Sequence, residues 1–136
     1  MSSGRLLVMA LNLTGPIPNA AAINSHLPDS ILLIRLKSGT EWGENRLDEC
    51  LERLLVWADG TLPEVYGFDH DINLKYPPDE LQISPQIEVL EVESISSSSI
   101  EICDEIKRIC ESSGHSEVRI DVAAGRKEDA AGLARL

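Results

Sequence analysis

The run Asp121-Val122-Ala123-Ala124-Gly125-Arg126-Lys127-Glu128-Asp129 sets small residues, then two cations, where a strand hands over to a helix. At Ala123, Ala124 and Gly125 a ligand can approach the backbone closely, because little or no side chain intrudes. Arg126 and Lys127 add charge at a helix N-terminus, whose exposed N–H groups already favour an anion. Two cations there work against the helix dipole, and a phosphate seated between them removes that cost. An ordinary turn with two solvated cations accounts for the same residues, since Glu128 and Asp129 can satisfy the dipole by themselves. A second turn, Asn12-Leu13-Thr14-Gly15-Pro16-Ile17-Pro18, offers the Asn12 and Thr14 side chains and the Gly15 backbone to a ligand. Taken alone it fits a plain chain reversal equally well. Neither turn carries the three-glycine dinucleotide fingerprint or the phosphate-loop pattern ending in Gly-Lys-Ser/Thr, which disfavours NAD binding and ATP hydrolysis of those types.

The elements that must hold these turns are read from hydrophobic pattern. Residues 5–13 form a first strand whose run Leu6-Leu7-Val8-Met9-Ala10-Leu11 is aliphatic throughout, as is Ile31-Leu32-Leu33-Ile34 in a second strand over 31–36. Such runs mark strands buried on both faces of a parallel sheet. Between them Asn19 offers an N-cap to a short helix on Ala20-Ala21-Ala22-Ile23, stopped by His26-Leu27-Pro28-Asp29. A polar loop, 37–43, leads to an amphipathic helix over 44–58, with Leu47, Cys50 or Leu51, Leu54, Leu55 and Ala58 at steps of three and four. Residues 61–85 hold Pro63, Pro77, Pro78 and Pro85 and read as an excursion with one short strand at 64–68. Within it, Asp69-His70-Asp71 reads as an exposed acidic loop, because adjacent residues rarely face one metal ion together. Gln86–Val92 is a third main strand; the serines 96–99 cap a helix over 98–112, whose apolar positions are Ile100, Cys103, Ile106, Ile109 and Cys110. Gly114 fits its C-cap. A fourth strand, 117–124, puts Val118, Ile120 and Val122 on one face, and a last helix runs to Leu136. Trp57 falls at a packing boundary, and His26 and His115 read as surface residues. This order predicts a single α/β domain, 1–136, with a Rossmann-like, doubly wound and mainly parallel sheet. Ligands of such sheets sit at the carboxyl ends of the strands, where the winding reverses. With the first and fourth main strands as neighbours there, the Thr14-Gly15-Pro16 and Gly125-Arg126-Lys127 turns lie side by side.

Charge narrows the ligand. The net charge is −11; residues 1–40 hold three basic side chains against one acidic, and residues 41–136 hold nine against 22. Long nucleic acid repels such a chain, since each bound phosphate normally needs a Lys or Arg. A small phosphorylated ligand remains open, because helix N-termini can hold it with few cations. The aliphatic runs are far shorter than the ~20 residues that cross a bilayer. No signal peptide is legible at Met1-Ser2-Ser3-Gly4-Arg5, and Cys50, Cys103 and Cys110 read as reduced core thiols, so a cytoplasmic location is expected.

The two turns together carry a family resemblance. A first strand ending in a polar Gly/Pro turn, paired with a later Ile120-Asp121-Val122-Ala123-Ala124-Gly125-Arg126-Lys127 before a helix, resembles CARF domains. These are the CRISPR-associated Rossmann-like sensors of type III systems. The family more often has Thr-Gly-Gly before its Thr/Arg-Lys, so Ala123-Ala124-Gly125 departs from it, losing a hydroxyl but keeping the small residues. The resemblance spans nearly the whole chain in element order and a short run by motif.

It implies a homodimer whose paired turns hold a cyclic oligoadenylate across the two-fold axis. The ligand contacts it implies are Thr14, Gly15, Pro16, Ile17, Ala124, Gly125, Arg126 and Lys127, with Lys37, Thr40 and Trp42 on the rim after the second strand. Trp42 can stack on an adenine there, or serve as a partly buried packing residue. Some relatives also cleave the ring without metal or cofactor, by attack of a ribose 2′-hydroxyl on the adjacent phosphate. In that reaction Lys127 would stabilise the phosphorane charge, and Thr14 or Asn12 would position the ribose. Such a ring nuclease switches the antiviral signal off. The alternative is a sensor without turnover, excised from a longer effector; the end of the chain within its last helix, at Ala134-Arg135-Leu136, favours truncation or an unusually minimal version.

Overall fold

The computed structural model describes residues 4–13, 15–60, 64–66, 73–75 and 85–121. Thr14, Asp69-His70-Asp71 and residues 122–136, on which the expected Gly125-Arg126-Lys127 turn and last helix fall, lie outside the described residues. The elements are β1 (Gly4–Ala10), α1 (Ile17–His26), β2 (Ser30–Leu36), α2 (Glu41–Ala58), β3 (Glu64–Tyr66), β4 (Asn73–Lys75), β5 (Gln86–Val92), α3 (Ser99–Ser113) and β6 (His115–Ile120). A single 3-10 turn, Ser96–Ser98, leads into α3.

The aliphatic runs behave as parallel central strands must. β1 and β2 pair in parallel from Leu6 opposite Ser30 to Ala10 opposite Ile34, and every residue of β2 is buried. β5 adds to the outer side of β2, and β6 to the outer side of β1, both parallel, giving the order β5-β2-β1-β6. Alternation then feeds two cores. Leu7, Met9, Ile31 and Leu33 face α1 and α2, with Ile23, Leu54 and Trp57 among the residues packed on them. Leu6, Val8, Leu32 and Ile34 face the other way, against Ile95, Ile102 and Ile109 from α3 and the segment before it. Each fully buried Leu or Ile contributes roughly 1.5–3 kcal/mol, offset by the entropy of ordering the chain. With helices on both faces and β6 returning to the far side of β1, the sheet is doubly wound and mainly parallel, as the sequence predicts. The short strands β3 and β4 pair antiparallel as a separate ribbon, pinned by the buried Val65.

Several boundaries differ from the sequence reading, for local reasons. Helix α1 starts at Ile17, ahead of Asn19, because Pro16 and Pro18 fix φ near helical values and need no amide partner in a first turn. Asn19 is therefore not a cap but a wholly buried residue within the helix. Helix α2 starts at Glu41 instead of residue 44, since Thr40 caps it by accepting from the Gly43 amide at 3.0 Å. A Cβ at Gly43 would collide with the Ser38 side chain, so any other residue here would force the 38–40 turn to shift. Gly114 is the C-cap of α3 at φ 70°, donating to Cys110 O.

Burial corrects four more expectations. Trp57 does not lie at a boundary; it is fully buried between α2 and the sheet. On α3 the inward stripe is Ile102, Ile106, Ile109 and Cys110, which turns Ile100 outward at 79% exposure. Neither His26 nor His115 is a free surface residue: His26 Nε2 lies 3.1 Å from Asp121 Oδ2, and His115 Nε2 lies 2.8 Å from Ser30 Oγ. All three cysteines are free thiols, and burial pushes Cys50 up to about 11, leaving it protonated at neutral pH. At the β1–β6 seam Glu117 accepts from Arg119 and Arg5, and both bonds hold its carboxyl below the usual carboxylate range. No described helix is long and apolar enough to cross a membrane.

Candidate functional site

The carboxyl edge of the sheet is where the chain leaves β1, β2, β5 and β6, and each exit is tied by backbone bonds. Leu11 N donates to Ile34 O at 2.8 Å, Lys37 N to Val92 O at 3.1 Å, and Asp121 N to Val8 O at 2.9 Å. The winding reverses between β1 and β6, so the β1 turn and the residues that follow Asp121 start from neighbouring strands.

The β1–α1 turn is held from within. Asn19 donates from Nδ2 to Ala10 O at 2.9 Å and accepts at Oδ1 from Asn12 N at 2.8 Å. Gly15 and Pro16 are buried, Asn12 is half-buried, and Ile17 packs its half-buried side chain against the first core. Asn12 thus stands on a base tied by Asn19 at the sheet edge, with Gly15, Pro16 and Ile17 leading into α1.

The β2–α2 corner is held by charge. Arg35, on a strand otherwise apolar after its first serine, keeps its side chain 7% exposed. It donates to Glu44 Oε1 at 3.1 Å, to Glu44 O at 3.2 Å and to Asp48 Oδ1 at 2.7 Å. Burial alone pulls the guanidinium down, but Glu44 and Asp48 outweigh it and hold it above its ordinary value. The second oxygen of Glu44 accepts from Ser38 N at 2.8 Å, latching the 37–40 turn onto α2. That amide, and then Arg35, hold the Glu44 carboxyl below the usual carboxylate range. A carboxyl lowered in the folded state adds stability above its unfolded pKa, which is lost as pH falls through the folded one. Glu44→Gln is therefore expected to unfold at lower urea than the parent near neutral pH. The difference should close in acid, as pH falls through the lowered value of the folded carboxyl. Urea curves at both pH values test this, and a difference that persists in acid would contradict it.

Of the rim residues, Lys37 is exposed and paired with Glu93 at 3.2 Å, beyond the end of β5. Its ammonium is thus partnered on the side away from β1. Thr40 is exposed but uses its hydroxyl as the α2 cap. Trp42 stands 65% exposed in the first turn of α2, with the Arg46 guanidinium 5.4 Å from its ring centroid. That is an open aromatic face flanked by a cation, and not a packing residue. Past β5, Ser94 and Ser97 join by a 2.6 Å hydroxyl contact before α3. Sequence reasoning missed Asn19 as a turn clamp and Arg35 with Glu44 as a corner clamp. The visible signal for the second was a lone arginine in an aliphatic strand; buried asparagine at a third helical position leaves none. Among the described residues no cluster of His, Cys, Asp and Glu is arranged to hold a metal ion.

Fold and edge together define a Rossmann-like α/β domain with its candidate site at the reversal of winding. No protein-family model matches the chain, and no curated protein matches its sequence. Among solved structures it is similar to Can2 from Sulfobacillus thermosulfidooxidans in complex with cyclic tetra-adenylate, with a TM-score of 0.55 and 16% identity. The match covers 96% of this chain and 28% of that one, so this chain spans little more than a quarter of its neighbour's length. At that identity the likeness is one of fold.

Proposed function

We propose that this chain is a CARF-type domain that binds a cyclic oligoadenylate on the two-fold axis of a homodimer, in the cytoplasm, and cleaves it. The observation that carries the reading is the likeness in fold to a protein solved with cyclic tetra-adenylate. Two features support it: the reversal of winding beside β1, and the Gly125-Arg126-Lys127 sequence that follows β6. Dimerisation reconciles the ligand with a net charge of −11, because each subunit brings Arg126, Lys127 and its turn amides to one ring.

Cleavage needs no metal in this reading. A ribose 2′-oxygen attacks the adjacent phosphorus, the 5′-oxygen departs, and the products end in a 2′,3′-cyclic phosphate and a 5′-hydroxyl. The protein aligns the 2′-hydroxyl in line with the leaving oxygen and stabilises the developing charge. Lys127 does the second; Thr14 or Asn12 does the first. Incubating the purified protein with cyclic tetra- and hexa-adenylate in chelator and separating the products tests the reading. Linear di- or tri-adenylate ending in a cyclic phosphate is the expected result. A second reading, a sensor that binds without turnover, is favoured by Ala123-Ala124-Gly125, which lacks a hydroxyl beside the cations. Bound but unchanged ring would establish it, and no binding would overturn both.

A further inference from the structure

We infer that Asn19 is a positioning residue for this site: its buried amide ties the end of β1 to the first turn of α1 and so sets the backbone at Asn12, which the ligand reading places beside the ring. The inference rests on the ligand reading above. Asn19 is 0% exposed, so it touches no ligand itself. A buried amide is costly to keep unless its donor and acceptor are both met. Here Nδ2 meets Ala10 O at 2.9 Å and Oδ1 meets Asn12 N at 2.8 Å.

The choice of those partners carries the point. Backbone groups of a strand alternate between its two edges, so Val8 O, Ala10 O and Asn12 N all face the β6 edge. Leu11 N faces the other edge, where it donates to Ile34 O of β2 at 2.8 Å. The last described rung between β1 and β6 is Asp121 N to Val8 O at 2.9 Å. Ala10 O and Asn12 N lie further along that same edge, and the Asn19 side chain bonds to both. It mimics a neighbouring strand's backbone for one rung. β1 is therefore paired with β2 through Leu11 on one edge and held by the Asn19 side chain at Ala10 and Asn12 on the other. The Asn12 backbone is held before any ligand arrives, which spares part of the ordering cost of binding.

Asn19→Leu fills much the same volume and removes both bonds. Its expected effect is a loss of about tenfold in affinity for cyclic tetra-adenylate, the scale of a broken buried hydrogen bond. Hydrogen exchange should quicken at the Asn12 amide and stay unchanged at Leu32 in the centre of the sheet, a local effect that a general loosening of the core would not give. If Asn19→Leu fails to fold, Asn19→Ser, which leaves space and one hydroxyl, carries the same comparison. A folded variant that binds the ring as tightly as the parent overturns this inference alone, as does an Asn12 amide that exchanges no faster. A parent protein that takes up no ring overturns the ligand reading and this inference with it.

Discussion

Lys127→Ala is expected to slow cleavage of cyclic tetra-adenylate by a factor on the order of 10² to 10³, with a smaller loss of affinity. The reasoning is differential: charge builds on the phosphate as the 2′-oxygen attacks, so an ammonium aimed there helps the transition state more than the bound ring. On this reading Arg126 would share the ground-state attraction, so its loss is expected to fall on affinity and not on rate. For Lys127→Ala, a urea midpoint that stays with the parent shows that the slower cleavage is not a loss of folding. Single-turnover rates and equilibrium affinity, measured on the same preparation, separate the two effects. If Lys127→Ala cleaves at the parent rate, the assignment of this residue is wrong even with the family right.

Trp57→Ala is expected to cost about 3–5 kcal/mol of folding stability, the scale for removing a large aromatic from a closed core. Trp57 is fully buried where α2 meets Leu7, Leu33 and Val65 in one cluster. Few side chains there can move to fill the gap, because β1 and β2 are fixed by pairing on both sides. A loss of that size is a large part of the 5–15 kcal/mol that holds a typical domain together. Urea unfolding at fixed slope reads it directly. A loss below about 1 kcal/mol would place Trp57 at the packing boundary after all.

These two substitutions mark what the sequence makes legible and what it hides. β1, β2 and β5 stand out because uninterrupted or alternating aliphatic residues have few places to go but a sheet, and β5 matches its reading residue for residue. The β1–β6 neighbourhood follows from connection rules, and the observed order agrees. Helix starts are harder, since Asn19 and Thr40 are both good caps by type and only Thr40 is one. What decides is the pair of prolines at 16 and 18, which open α1 early and carry Asn19 inward. Ile100 lies two residues, and so more than half a turn, from Ile102: 102, 106, 109 and 110 make the inward stripe, and a start at 100 faces outward. Arg35 is a tertiary matter, for its carboxylates come nine and thirteen residues later, across a corner that only the fold creates. At the site, the β1 and β2 turns emerge on one edge as expected, while Gly125-Arg126-Lys127 stands on the sequence and its topology alone.

Titrating the intact protein with cyclic tetra-adenylate in a calorimeter, in chelator and at low salt, tests the central claim most directly. The account predicts saturable binding at one ring per two chains, weakened by added salt as phosphate contacts are screened. No heat at any ring concentration, or saturation at one ring per chain, would contradict it.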